Sequence, residues 1–180
     1  ARNVTGVQTC ALPILHTRGV GTLLLDLLTP EEDQDYRSRF DISLLTQRLC
    51  VATRWLARHP LTQSLPVGYF GASTGAAAAL RAATAPGFAI RAVVSRGGRP
   101  DLAGPEDLAR VDCPTLLLVG SRDEEVLELN RQAAALMHCP HRLSVVPGAT
   151  HLFEEPGTLE AVARQAADWF ETCLPPDTPA

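Results

Sequence analysis

Five apolar runs constrain the fold of this chain most strongly. Most of them are nearly continuous in Val, Leu and Ile, without alternation of apolar and polar positions. This pattern is typical of strands that are buried on both faces, as in a parallel sheet covered by helices. The runs are Val20–Leu27, Val67–Gly71, Ile90–Ser95, Thr115–Gly120 and Leu143–Pro147.

Segments of helical periodicity separate the later runs. Apolar residues recur at three- and four-residue steps from Leu44 to Leu56, and Pro60 ends that pattern. Alternating strands and helices favour right-handed crossovers, with helices on both sides of the sheet. We therefore predict an α/β fold with a doubly wound, mostly parallel sheet. The other predicted helices are Thr74–Ala85, Glu124–Met137 and Thr158–Phe170.

Composition excludes several classes of function. All 16 basic residues among the 180 are Arg, so chemistry that needs a Lys amine or a P-loop Lys is excluded. The net charge of −4, with scattered basic residues and no run of 18 apolar residues, predicts neither a nucleic-acid partner nor a membrane partner. The five Cys are widely spaced without a CxxC pair, which favours reduced thiols and a cytoplasmic location.

A candidate nucleophile stands at the end of the second run. Ser73 lies in the pattern Gly71-Ala72-Ser73-Thr74-Gly75, between a predicted strand and a predicted helix. This is the setting of a nucleophile elbow, a sharp turn that needs small neighbours such as Gly71 and Gly75. The alternative is an ordinary glycine-rich turn with an unreactive Ser.

A serine hydroxyl needs a base and an orienting carboxylate. Asp123 follows the run Thr115–Gly120, and His151 follows the last run, so both are predicted at the carboxyl ends of strands. The order Ser, Asp, His along the chain is that of an α/β-hydrolase triad. Asp101 and Asp112 are the alternative acids. The other histidines, which lack the strand-end placement, are His16, His59, His138 and His141.

The chain resembles the α/β-hydrolases, most closely the dienelactone-hydrolase-like branch. The resemblance covers about residues 15–174 and rests on GYFGASTG, TLLLVGSRDEEV and VVPGATHLFEEPG. LLLDLLTPEE and VSRGGRPDLAGP also fit the hydrolase half of bacterial proteins in which this domain is fused behind a phosphoribosyltransferase domain. The resemblance implies Ser73 as nucleophile, His151 as base and Asp123 as the residue that orients it.

Two departures from the family pattern bear on activity. The founding dienelactone hydrolases use Cys in the elbow, where this chain has Ser73. The family also has a glycine-rich loop after an earlier strand that supplies one oxyanion donor, and no such loop precedes Val20. The backbone N–H of Thr74 is the other expected donor. Gly97-Gly98 is the only glycine pair, and it follows the wrong strand to replace that loop.

Three segments are expected along the chain. Val4–Ile14 resembles the translation of a sequencing adapter, so residues 1–14 are predicted to be a non-native segment. Residues 15–174 would form a partial hydrolase domain that lacks its first strands, and residues 175–180 a Pro-rich tail. The charged residues 30–41 are expected to be a solvated loop, with a lid beside the site as the alternative.

The expected function is that of a serine hydrolase that cleaves an ester, thioester or small lactone. No metal or organic cofactor is implied by this chemistry. The alternative is a catalytically impaired, truncated scaffold or interaction module of a larger protein whose other domain is a phosphoribosyltransferase. Such a truncation would leave an unpaired sheet edge and exposed apolar surface.

Overall fold

The computed structural model describes residues 11–175. Its centre is a sheet of four parallel strands in the order β1-β2-β3-β4. The strands are β1 (Val67–Ala72), β2 (Ile90–Arg96), β3 (Thr115–Gly120) and β4 (His141–Val146). The helices are α1 (Leu12–Thr17), α2 (Ile42–Leu56), α3 (Thr74–Ala83), α4 (Pro105–Arg110), α5 (Glu124–Leu136) and α6 (Thr158–Cys173). The predicted α/β fold with a parallel sheet is confirmed.

Two apolar cores lie on opposite faces of the sheet. One contains Val93 and Leu117 with residues of α2, α3 and α5. The other contains Val94 and Leu118 with residues of α1 and α6. Since successive strand residues point to opposite faces, helices on both sides explain why the predicted strands read as continuous apolar runs. All six residues of β3 are buried.

Helix α3 brings the chain close to the sheet directly after β1. Its residues Ala76–Ala79 are at most 1% exposed, and Leu80 is fully buried. Alanine has no bulk beyond Cβ, so α3 can pack tightly between α2 and the sheet. Helix α2 begins at an Asp41 cap, whose side chain accepts a hydrogen bond of 2.9 Å from the Leu44 N–H.

The predicted strand Val20–Leu27 is wrong. These residues form no helix or strand, and the side chains of Leu23, Leu24 and Leu25 are 42–50% exposed. A strand requires a neighbour for its backbone N–H and C=O groups, and among residues 11–175 none pairs with this run. Strand β1 is consequently an edge of the sheet.

The charged connection after this run is a surface loop with two short 3₁₀ turns, Glu32–Gln34 and Ser38–Phe40. Arg48 of α2 anchors it by donating to a Glu32 carboxylate oxygen at 2.6 Å and to the Leu27 carbonyl at 2.7 Å. The hydrogen bond from Arg48, together with one from the Thr29 N–H, lowers the pKa of Glu32 to about 2.

The two ends of the chain lie partly outside the described residues. Residues 1–10, including Cys10, and residues 176–180 lie outside the described part, so the predicted non-native segment and tail stay predictions. Helix α1 crosses the predicted boundary at residue 15, and Leu15 packs in the core beside α6.

Within residues 11–175, no helix has the length and apolar character to cross a membrane.

Candidate active site

Ser73 occupies a strained turn between β1 and α3. Its φ of 50° and ψ of −124° lie outside the regions that non-glycine residues ordinarily adopt. The turn brings helix and strand so close that a Cβ on Gly71 would lie 2.6 Å from the Cα of Ala76. A Cβ on Gly75 would meet no atom within 4 Å. The close approach expected of the elbow is therefore present at Gly71 and absent at Gly75.

The backbone around Ser73 is held on both sides. Its N–H donates to the Arg96 carbonyl at 3.3 Å, and its carbonyl accepts from the N–H groups of Ala76 and Arg99 at 3.1 Å each. The Ser73 hydroxyl has no hydrogen-bond partner among residues 11–175. The N–H of Thr74, the first residue of α3, also donates to no acceptor in this part of the chain. Both groups are therefore available to a bound molecule.

Asp123 and His151 form a direct pair. A carboxylate oxygen of Asp123 lies 2.6 Å from Nδ1 of His151, and the two side chains are 13% and 41% exposed. Asp123 immediately precedes α5, three residues after β3 ends, and His151 lies in the loop after β4. With a proton on Nδ1 donated to the carboxylate, Nε2 of His151 is left as the acceptor that a general base needs.

Close packing of two loops brings this pair together. The Arg122 N–H donates to the Ala149 carbonyl at 2.9 Å. A Cβ on Gly120 would lie 2.3 Å from that same carbonyl oxygen. The loop after β4 therefore rests directly on the end of β3, where only glycine leaves enough room.

The structure brings together only some of the residues considered from sequence. Ser73, Asp123 and His151 all follow carboxyl ends of parallel strands, but Ser73 and His151 share no hydrogen bond among the described residues. Asp101 instead accepts two hydrogen bonds from Arg99, at 2.9 and 2.7 Å. The remaining alternatives, none of which forms a hydrogen bond or ion pair with Asp123 or Ser73, are Asp112, His16, His59, His138 and His141.

Two cavities lie on the described part of the chain, apart from this site. A cavity of about 330 Å³ is lined by residues 83–91 with Arg110 and Asp112, and one of about 350 Å³ lies on α2 around Trp55. Neither includes the Asp123–His151 pair. Over residues 11–175, no group of three His, Cys, Asp or Glu could hold a metal ion.

The sequence does not mark Arg96, the last residue of β2, as a neighbour of the candidate site. Its side chain contacts the loop that follows His151, and the residue as a whole is 3% exposed. The available signal was the basic residue in VVSRGG, at the end of an otherwise apolar run.

Several solved structures share this architecture. A dienelactone hydrolase from Anabaena variabilis is 50% identical, with a TM-score of 0.87 over 94% of this chain and 80% of that chain. Est1E from Butyrivibrio proteoclasticus has a TM-score of 0.74 at 16% identity, over 94% of this chain and 81% of that one. The esterase domain of a Rhodothermus marinus protein has a TM-score of 0.73 at 18% identity, over 96% and 81%. The fold is that of an α/β-hydrolase.

The 50% identity over most of the Anabaena protein identifies the family: this chain belongs to the dienelactone hydrolases. No family model matches the chain. Two Mycobacterium tuberculosis proteins, each named "Putative phosphoribosyl transferase", are 62% identical over 157 residues. The match covers 87% of this chain, which spans about a third (35%) of the length of those relatives.

Proposed function

We propose that this hydrolase cleaves an ester, thioester or small lactone with Ser73 as nucleophile, His151 as base and Asp123 as the residue that orients it. The observation that carries the proposal is the 2.6 Å contact between Asp123 and Nδ1 of His151. The strained turn at Ser73 supports it, because strain in the backbone concentrates at functional sites. The relatedness to a dienelactone hydrolase supports hydrolysis as the reaction class.

In the first half of the reaction, Nε2 of His151 takes the proton of the Ser73 hydroxyl as Oγ bonds to the carbonyl carbon of the substrate. The N–H of Thr74 would stabilise the oxyanion that forms. The carbon–oxygen or carbon–sulfur bond to the leaving group then breaks, and the leaving group takes the proton from His151. An acyl group remains on Ser73.

Water completes the reaction. His151 takes a proton from the water as its oxygen attacks the acyl carbon, and returns that proton to Oγ as the acyl–oxygen bond breaks. The products are an acid and an alcohol or thiol, or one hydroxy acid from a lactone. Asp123 keeps its hydrogen bond with Nδ1 throughout and stabilises the imidazolium. These steps use the side chains of the three residues, the backbone N–H of Thr74 and water.

Turnover of p-nitrophenyl acetate, an acyl thioester and a small lactone tests this proposal and ranks the three substrate classes. Ser73→Ala should abolish turnover of whichever substrate is cleaved, because the acyl group forms on Oγ of Ser73. Ser64→Ala is a matched control, since Ser64 is exposed and has no side-chain hydrogen bond among residues 11–175. Full activity in Ser73→Ala would refute the assignment.

A second candidate function is an interaction module of a longer protein. The free edge of β1 and the exposed side chains of Leu23, Leu24 and Leu25 favour it, because such surface promotes association. The name of the M. tuberculosis relatives suggests a phosphoribosyl transferase domain as the fused partner. Ester turnover should be compared between this chain and a fusion of it with the part of the relative that the match does not cover. Equal turnover in both would reject the module as the main role.

A further inference from the structure

Arg96 is a buried cation without a counter-charge. Its residue surface is 3% exposed, its Nε has no hydrogen-bond partner, and it forms no ion pair within residues 11–175. Burial also lowers the pKa of Arg96. Removing a charge from water without pairing it destabilises a fold. The contacts of this side chain therefore indicate what offsets that cost.

The guanidinium contacts the two residues that follow His151. Nη1 of Arg96 donates to the Leu152 carbonyl at 3.5 Å, and the guanidinium carbon lies 5.5 Å from the centroid of the Phe153 ring. The second contact has the geometry of a cation–π interaction, which gains strength where water is excluded. Phe153 is fully buried. Arg96 thus supports the His151 loop from the side of the sheet.

Phe153 holds a conformation that needs such support. Its φ of 57° lies in the left-handed region, where an aromatic residue is strained. On its other side, Oγ1 of Thr158 donates to the Phe153 carbonyl at 2.9 Å. The segment after His151 is therefore held between Arg96 and the first residue of α6.

Arg96 also contacts the turn that carries Ser73. The Arg96 carbonyl accepts the hydrogen bond from the Ser73 N–H, and Arg96 lies beside Ala72 in the register of β1 and β2. Arg96 therefore connects the Ser73 turn, through its backbone, to the His151 loop, through its side chain. Gly97, the next residue, also packs closely against the His151 loop, since a Cβ on Gly97 would lie only 3.2 Å from the His151 carbonyl oxygen.

We propose that Arg96 is a positioning residue that fixes the His151 imidazole relative to the Ser73 hydroxyl. This inference rests on the proposed function, in which His151 is the base. Proton transfer requires Nε2 within hydrogen-bond reach of Oγ, and a displacement of about 1 Å lowers the rate on the order of a hundredfold. Arg96 acts through the loop and does not touch the substrate.

Three variants of the full chain test the role. Arg96→Met should lower kcat for p-nitrophenyl acetate by about 30- to 100-fold, with KM within about twofold, because geometry and not binding is lost. Arg96→Lys keeps the charge without the planar stacking group and should lie between wild type and Arg96→Met. Arg142→Met is the matched control, since its guanidinium carbon lies 5.6 Å from the Trp169 ring near the amino end of β4, away from the site. Wild-type kcat in folded Arg96→Met, or an equal loss in Arg142→Met, would overturn the proposal.

The NMR signal of the His151 Nδ1 proton supplies a readout independent of turnover. The signal should shift or broaden in Arg96→Met and Arg96→Lys and stay unchanged in Arg142→Met. If Arg96→Met does not fold, Arg96→Lys decides: a lower kcat with an altered signal supports the role, and wild-type values of both overturn it. If the wild-type chain turns over no ester, the proposed function fails. Whatever the turnover result, an unchanged His151 signal in both Arg96 variants would overturn the positioning role.

Discussion

Gly120→Ala should impair catalysis from a position that does not contact the reacting groups. An added Cβ would lie 2.3 Å from the Ala149 carbonyl oxygen and 2.7 Å from the Thr150 carbonyl oxygen. Ordinary contact of a Cβ begins at 3.4 Å, so the loop after β4 must retreat by about 1.1 Å. Both atoms are backbone, so no rotation of a side chain can relieve the overlap.

The size of the effect follows from what that loop carries. His151 is the next residue after Thr150, and its 2.6 Å contact with Asp123 would lengthen as the loop moves. A misplacement of about 1 Å lowers a rate by roughly a hundredfold. Overpacking of this kind also lowers the free energy of unfolding by about 1–3 kcal/mol. We therefore expect a folded variant with kcat about a hundredfold below wild type.

Steady-state hydrolysis of p-nitrophenyl acetate measures kcat, and thermal unfolding monitored by circular dichroism verifies the fold. Gly21→Ala is the control, because a Cβ at Gly21 would meet no atom within 4 Å. It should leave both kcat and Tm at wild-type values. A folded Gly120→Ala variant with wild-type kcat would refute the reasoning that the end of β3 sets the position of His151.

Three other substitutions have defined outcomes. Asp123→Asn should lower kcat by roughly 10²–10⁴-fold, because an amide does not hold the imidazole in the required tautomer. Comparison of the pH–rate profiles of Asp123→Asn and Asp101→Asn would check this. Leu80→Ala, at a fully buried position of α3, should lower the free energy of unfolding by about 2–5 kcal/mol in guanidinium chloride titrations. The pKa of Glu32 falls from 4.5 to about 2 on folding, so its ion pair stabilises the chain at neutral pH and is lost as pH falls through that interval. Glu32→Gln should thus lower Tm at pH 7 and match wild type below about pH 2, and an equal Tm difference at both pH values would contradict the assignment.

The sequence predicts most of the fold because burial on both faces leaves a local signal. The run Thr115–Gly120 reads as a buried strand, and every residue of β3 is buried. The same signal misled at Val20–Leu27. An apolar run becomes a strand only beside a partner strand, and the composition of a run does not reveal whether its partner is present.

The site was predictable to a similar degree. Strand ends in a parallel sheet lie at one edge, so Asp123 and His151 could be expected near each other before any distance was known. The roles of Gly120 and Arg96 could not. Each depends on a contact with the loop at 149–153, many residues further along the chain, and neither a glycine nor an arginine at a strand end signals such a contact.

Covalent labelling with a fluorophosphonate, followed by mass spectrometry of the labelled peptide, tests the serine hydrolase proposal most directly. The reagent reacts with a serine that a neighbouring base activates. We predict one adduct per chain, located on Ser73, that disappears in Ser73→Ala and slows strongly in Asp123→Asn. An unlabelled wild-type chain, or an adduct that persists in Ser73→Ala, would contradict the proposal.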